Sequence, residues 1–274
     1  MSQSVLKTPV LKYSNQGAKL FEDLVAVEEP LEIKLSYSQN GKQHTKNISV
    51  TMRTPGNDTE LAIGFLFTEG IIKQSHQVKN VKSGALQNSI TIEMMDGFDV
   101  ALEKLNRHFY TTSSCGVCGK ESIEAIKTIK EKTETNTLLK VSADVLYSLP
   151  EKLNNAQSAF LQTGGIHGSA LFNLHGDLIA LREDVGRHNA LDKLIGSMLM
   201  ENKIPLTENI LLLSGRASFE LIQKSVMAGI NLVVAIGAPS SLAVELAKEF
   251  NVTLVGFLKH ERFNIYSHEE RVEL

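Results

Sequence analysis

Thiols are almost absent from this chain. Its 274 residues include two cysteines, and both fall in one polar, glycine-containing segment, Thr111-Thr112-Ser113-Ser114-Cys115-Gly116-Val117-Cys118-Gly119. Cysteines serving only as small buried apolar residues would have no reason to sit three apart beside glycines. A C-x-x-C pair can bind a metal, form a reversible disulfide or carry sulfur. Tryptophan is missing altogether. Charge of one sign is lacking too: the net charge is -3, which excludes a global basic field for nucleic acid or anionic membrane. No apolar run approaches the roughly 20 residues that a bilayer span requires. Met1 to Leu20 is polar, carries lysines and has no apolar core of the signal-peptide kind. The expected compartment is the cytoplasm, where a vicinal thiol pair is more often catalytic, redox-active or metal-binding than structural.

Arginine is also scarce. Of 28 basic residues only seven are arginine: Arg53, Arg107, Arg182, Arg187, Arg216, Arg262 and Arg271. Most lie in segments that also hold Gly, Pro, Ser or Asn. The planar guanidinium fork grips phosphate and carboxylate in a way that lysine does not. One reading of this placement is codon bias with random positions; the sharper reading is that arginine survives where an anion must be gripped.

Residues 21–52 read as strands. Leu31 to Tyr37 alternates apolar and polar, Asn40-Gly41 is a hairpin turn, and Asn47 to Met52 returns as the partner. Arg53-Thr54-Pro55-Gly56-Asn57-Asp58 is a turn in which Asn57 or Asp58 can cap a helix over Glu60 to Glu69, ended by Gly70. Asn88 to Met95 alternates again. After the cysteines, Glu121 to Lys132 reads as an amphipathic helix whose N-terminus favours thiolate over thiol. Thr133 to Thr137 is a polar break. Ser158 to Gln162 and Ser169 to Asn173 read as strands, followed by a turn at His175-Gly176-Asp177 and a helix near Ala190 to Met200. Strand and helix then alternate: Asn209–Leu213, Phe219–Ala228, Asn231–Ile236, Leu242–Phe250, Val252–Phe257. This βαβαβ run implies a parallel sheet covered by helices.

Loops at the carboxyl ends of parallel strands share one rim, where α/β folds bind ligands. Ser214-Gly215-Arg216-Ala217-Ser218 and Gly237-Ala238-Pro239-Ser240-Ser241 lie there, each opening a helix, and Leu258 to Arg262 follows the third strand. Small residues, helix N-termini and the charges of Arg216 and Arg262 suit a phosphate-bearing, nucleotide-like ligand. Neither a G-x-x-x-x-G-K-[ST] phosphate loop nor a G-x-G-x-x-G fingerprint is present.

The thiol chemistries separate by what surrounds the pair. A structural zinc site usually needs four protein ligands, often two C-x-x-C pairs, and here His108, His167 or His188 would have to complete one pair. The zinc deaminase signature H-x-E with P-C-x-x-C is missing: Ser114 precedes Cys115, and Phe109-Tyr110 follows His108. A thioredoxin-like site would stand early in a small βαβ domain, whereas this pair sits deep in the chain. Sulfur carriage needs a thiolate that accepts sulfane sulfur as a persulfide, with a second thiol to assist.

Ser114-Cys115-Gly116-Val117-Cys118-Gly119 resembles the C-G-x-C-G loop of the FdhD family, the formate dehydrogenase accessory sulfurtransferases. Arg53 to Asp58 with Glu60 to Leu66, Thr163-Gly164-Gly165 with His167, Arg182 to Asn189, Ser214 to Ser218, Ala238 to Ser241 and Gly256 to Tyr266 resemble its other signatures, in order, beyond the first twenty residues or so. The family often has Arg and Gly where Lys259 and His260 stand here.

The resemblance implies persulfide sulfur taken from a cysteine desulfurase. The sulfur passes to the molybdenum cofactor, bis(molybdopterin guanine dinucleotide), as bound substrate before insertion into formate dehydrogenase. Cys115 would bear the persulfide with Cys118 contributing, and Phe257, Leu258, Lys259, His260, Glu261 and Arg262 would bind the cofactor beside Arg216 and Ser240. It further implies an α/β fold, a cytidine-deaminase-like parallel or mixed sheet joined to a smaller β-rich N-terminal domain, and a homodimer. The expected division is 1–110 for the β-rich domain, 111–137 for the Cys loop and connecting helix, and 138–274 for the cofactor-binding domain. No permanent metal, nucleic acid or membrane partner is expected. The competing reading is a non-catalytic chaperone for the same cofactor, its thiols gripping a metal.

Overall fold

A computed structural model describes residues 4–84, 88–97 and 139–273. Cys115, Cys118, His108, the helix read over Glu121 to Lys132 and the break at Thr133 to Thr137 lie outside the described residues.

The chain opens with a two-stranded ribbon, β1 (Val5–Ser14) and β2 (Gly17–Ala26). β3 (Glu29–Gln39) and β4 (Lys42–Arg53) form the expected hairpin, with Asn40 and Gly41 both at positive φ as a two-residue turn demands. With β5 (Val78–Ser83) and β6 (Ser89–Met94) they make a four-stranded sheet in the order β4-β3-β6-β5. Between them runs α1 (Asp58–Thr68), two residues longer at its start than the apolar pattern suggested. Neither proposed cap acts through its side chain: Asn57 takes the N-cap position in a left-handed conformation, φ 58°, without a side-chain bond to the helix. Asp58 is instead held by Arg53.

The larger sheet has six strands in the order β13-β12-β11-β10-β8-β9. Its centre is the predicted run: β10 (Asn209–Leu213), α5 (Phe219–Met227), β11 (Leu232–Ala235), α6 (Ser241–Glu249) and β12 (Thr253–Lys259), with the three strands parallel. Antiparallel strands flank it: β8 (His167–Asn173) and β9 (Leu178–Asp184) on one side, β13 (Arg262–Ser267) on the other. The fold is thus mixed α/β. Between β9 and β10 runs α4 (Arg187–Met200). Helices cover both faces, which is why β10 and β11 are apolar without alternation. Leu211 and Leu213 face α4, α5 and α6, while Ile210 and Leu212 face α2 (Ala143–Ala156). β7 (Val141–Ser142) and β14 (Val272–Glu273) form a short parallel pair.

One expected strand is a helix. Ser158–Thr163 is α3, and its first N–H groups find a distant acceptor: Ala159 and Phe160 donate to the Glu183 carboxylate at 3.0 and 2.9 Å. Six residues of mixed polarity fit either period, and a cap supplied by residue 183 decides for helix.

One apolar cluster joins the four-stranded sheet, through Leu31, Ile33 and Ile92, to α1 and on to α4 and the larger sheet. α1 and α4 meet backbone to backbone. A methyl group on Gly64 would collide with the Asp192 carbonyl, and one on Gly196 with the Glu60 carbonyl. Beside this crossing, Lys224 donates to Asp192 at 2.8 Å, and Thr68 donates to the same carboxylate at 2.8 Å. Glycine is therefore required at both positions by close approach rather than by backbone angle. Gly196→Ala is expected to destabilise the fold by about 1–3 kcal/mol. A lowered urea midpoint with an unchanged slope is the signature to look for. A midpoint equal to wild type would mean that the two helices do not touch there.

Candidate functional site

The rim at the carboxyl ends of β10, β11 and β12 forms as the sequence suggests, and its loops are stitched to one another. Gly237 N–H donates to the Gly215 carbonyl at 3.0 Å, Ser240 N–H to Ala217 at 3.0 Å, and Phe257 N–H to Gly237 at 3.0 Å. Gly237 sits close against the first loop, since a methyl there would lie 3.0 Å from Arg216 N and the Gly215 carbonyl and the loops would have to give way. Ser240 is exposed and caps α6, its Oγ accepting from Ala243 N–H at 3.3 Å. Arg216 is exposed at the head of the first loop.

The last rim element is a hairpin rather than a loop. β12 continues to Lys259, turns through His260 and Glu261, and returns from Arg262 as β13. Phe257 sits on a bulge at φ 55° and is 43% exposed, a large apolar side chain presented to solvent. Lys259, His260, Glu261 and Arg262 are exposed at the tip. Leu258 points the other way, buried in the core on the α2 face of the sheet.

Three groups that the rim reading did not include stand beside Arg216. β8 runs antiparallel to β10, so it begins where β10 ends: Gly168 N–H donates to Ser214 Oγ at 2.9 Å, and Ser214 N–H returns to the Gly168 carbonyl at 3.0 Å. This places His167 against Gly215, where a methyl would lie 3.3 Å from the imidazole. The end of β9 pairs with the start of β8, His167 opposite Asp184, and brings Arg187 and His188 to the same place at the start of α4. Their neighbourhood in the fold follows from the antiparallel strands, which the sequence pattern did not distinguish from parallel ones. The available signal was density: Arg187-His188 and Arg216 both follow glycine at a strand-to-helix junction.

Two arginines and two histidines meet two carboxylates, Asp184 and Glu220, at this corner. Burial pushes His167 below its ordinary 6.5, and the charges of Arg187, His188 and Arg216 push it further, with Asp184 opposing. His188 Nε2 lies 2.8 Å from Glu220 Oε2 and 3.3 Å from Ser218 Oγ. That contact, against the effect of burial, holds Glu220 below the usual carboxylate range. Arg187 and Arg216 have no ion pair or hydrogen bond among the described residues. Among the described residues no side chain caps the N-terminus of α4 or α5. Two guanidinium groups, an imidazole whose protonation is disfavoured and helix N–H groups without a side-chain cap make a surface that accepts an anion. Among the described residues no three His, Cys, Asp or Glu side chains gather as a metal set.

The start of α4 is held by a buried polar network. Asp184, wholly buried, accepts from Thr54 N–H at 3.1 Å, Gly186 N–H at 2.8 Å, Asn189 Nδ2 at 3.2 Å and Lys193 Nζ at 2.7 Å. Lys193 also donates to the Thr54 carbonyl at 2.8 Å, and Thr54 Oγ1 accepts from Val185 N–H at 3.1 Å. Asn189 donates to the Met52 carbonyl at 2.7 Å. Arg53, 1% exposed, grips Asp58 through two bonds of 2.9 and 3.0 Å. The segments Arg53–Asp58 and Arg182–Asn189 are thus two halves of one structure.

Two results are expected. Lys193→Met strands the Asp184 carboxylate without its cation and is expected to cost about 3–5 kcal/mol in urea unfolding; a loss well under that would mean that Lys193 does not carry the pair. In proton NMR, His167 should titrate below 6.5 and move upward in Arg187→Ala, which removes a repelling charge. The sign for stability follows. The unfolded chain takes up the proton first as pH falls through 6.5, so this residue's contribution is complete above that pH and is lost below it. A titration at or above 6.5 would remove His167 from the cationic corner.

Comparison with known proteins agrees with this arrangement of segments. The FdhD/NarQ family model matches residues 26–273. The sulfur carrier protein FdhD of Streptomyces avermitilis is 43% identical over 283 aligned positions, covering 100% of this chain and 98% of that protein. The sulfur carrier protein FdhD of Sulfolobus acidocaldarius is 44% identical over 270 positions, covering 98% of this chain and 99% of that protein. A crystal structure from Desulfotalea psychrophila, described as a formate dehydrogenase accessory protein, shares the fold with a TM-score of 0.75 at 24% identity, covering 99% of this chain and all of that one. The match takes in both halves of the buried network, the cysteine segment and the rim, and the chain belongs to the FdhD/NarQ family.

Proposed function

We propose that this protein is a sulfur carrier. The thiolate of Cys115 attacks the terminal sulfur of a cysteine desulfurase persulfide, the donor cysteine leaves as a thiol, and Cys118 assists. The sulfur is then delivered to the molybdenum cofactor, bound as substrate in its bis(molybdopterin guanine dinucleotide) form, for use by formate dehydrogenase. The relatives' names support sulfur carriage and the accessory role.

The observation that carries the cofactor part is the cationic corner. A guanine dinucleotide offers a diphosphate, and Arg187 and Arg216 offer two guanidinium groups beside two uncapped helix N-termini. His167, whose protonation is disfavoured there, stands beside them, while Phe257 offers an exposed ring on which a base can stack. Lys259, His260, Glu261 and Arg262 at the hairpin tip, with Ser240 between, extend the polar surface. Leu258 supports the hairpin from within the core.

The same proposal takes the six-stranded mixed sheet as cytidine-deaminase-like. It also includes the division of the chain at 1–110, 111–137 and 138–274, a homodimer and a cytoplasmic location.

Two measurements test the proposal separately. Incubated with a desulfurase and cysteine, the protein should gain mass in steps of one sulfur atom on the peptide that contains Cys115, and lose that gain in Cys115→Ala. Labelling that persists in Cys115→Ala and vanishes only in Cys118→Ala would exchange their roles. In calorimetry with GDP, Arg216→Ala should lose roughly ten- to a hundredfold in affinity, the cost of one charge-assisted hydrogen bond. Unchanged affinity would place the nucleotide elsewhere.

A further inference from the structure

Arg187 and Arg216 carry their charge at every ordinary pH, whereas the imidazole of His167 beside them can gain or lose a proton. Its surroundings come from four elements. His167 is itself the first residue of β8. The end of β9 brings Asp184, opposite His167 in the strand register. The start of α4 brings Arg187 and His188, and the loop after β10 brings Arg216. Gly215 packs directly on the ring, since a methyl there would lie 3.3 Å from both Cε1 and Nδ1. The spacing is fixed by Ser214, whose hydroxyl accepts from Gly168 N–H at 2.9 Å. The ring is half-buried, so one part of it rests on the loop while another is open to what enters the corner.

The two carboxylates nearby are already engaged. Asp184 is wholly buried, with Lys193 Nζ against it at 2.7 Å. Glu220, on α5, is turned to His188 Nε2 at 2.8 Å. Burial and the charges of Arg187, His188 and Arg216 all work against a proton on His167, and Asp184 opposes them. A phosphate seated between the two arginines changes the sign of the local charge. An opposite charge within ~4–6 Å favours the charged form of a titratable group. Burial still works the other way, and a ligand deepens it. The ring has already lost half its water, however, and a charge-assisted bond to a phosphate oxygen is about twice as strong as a neutral one.

We propose that His167 is a ligand of the bound phosphate and holds it as imidazolium: as the anion enters, the ring takes up one proton from the solvent, and the new N–H donates to a phosphate oxygen. The inference rests on the reading of this corner as the diphosphate site and adds a proton to the binding reaction. The consequence has a definite sign. Between the ring's titration midpoints in the free and the bound protein, the bound protein holds more protons. Affinity therefore rises as pH falls through that window, by at most about tenfold per pH unit, and levels off on either side.

GDP and inorganic pyrophosphate are the probes, and the full chain is used. In proton NMR, the ring signals of His167 should titrate at higher pH with either probe at saturation than without it. This measurement is made on wild type, so it stands even if a variant folds poorly. In calorimetry between the two midpoints, repeated in buffers of different ionisation heat, wild type should take up more protons per bound probe than His167→Gln. Its affinity should also fall more steeply as pH rises. A midpoint that does not move when a probe binds, or equal proton uptake in the two proteins, would overturn the proposal and leave the diphosphate site in place. Pyrophosphate that raises the midpoint while GDP fails to bind would support the proton uptake and remove the guanine nucleotide. Failure of both probes to bind would remove the site and the proposal together.

Discussion

A carboxylate without access to water needs its lone pairs engaged, and Asp184 meets that need by reaching across 130 residues to the Thr54 amide. Local groups alone would leave it short. Gly186 and Asn189 supply two donors, but the counter-charge comes from Lys193, which is itself tied to the Thr54 carbonyl. Removing any one of these leaves a buried group unpaired, and that penalty is larger than the net gain of an ordinary hydrogen bond. The N-terminal sheet is therefore fastened to the start of α4 by polar groups as well as by the Gly64–Gly196 helix crossing.

This fastening bears on the rim because α4 begins there. Val185 and Gly186, whose amides are fixed by Thr54 and Asp184, are followed at once by Arg187 and His188. Each sits next to a group that cannot move freely. On the opposite side the loops after β10, β11 and β12 are cross-linked by backbone hydrogen bonds, so Arg216 is carried on a stiff support as well. A site that must grip an anion gains from cations already in place, because ordering them costs nothing at the moment of binding. The hairpin tip is a different kind of element, with the side chains of His260 and Glu261 each 88% exposed.

The central βαβαβ run was legible because its strands are buried on both faces and its turns are rich in glycine and serine. The rim loops followed from it by topology. What could not be read came from distant partners. α3 is a helix because Glu183 caps it, and no local pattern announces that. β1 was missed because its ten residues carry lysine and proline and bury almost nothing, so the usual alternation signal is weak. His167 and Arg187 stood among the family-like segments, yet their convergence on Arg216 required knowing that β8 and β9 run antiparallel to the central strands. Leu258 was grouped with its neighbours by sequence, while strand alternation turns it into the core. The thiol pair, the clearest chemical signal in the sequence, lies outside the described residues.

The central claim is that the distant Thr54 contact sets the rim's electrostatics. Thr54→Val keeps the side-chain shape and the Asp184 charge but removes the hydroxyl that accepts from Val185 N–H. If the claim holds, Arg187 and His188 shift away from His167, and the imidazole titration measured by NMR moves up toward 6.5 although residue 54 does not touch the ring. A His167 titration identical to wild type, in a variant whose unfolding midpoint has fallen, would show that the network holds the fold together without shaping the site.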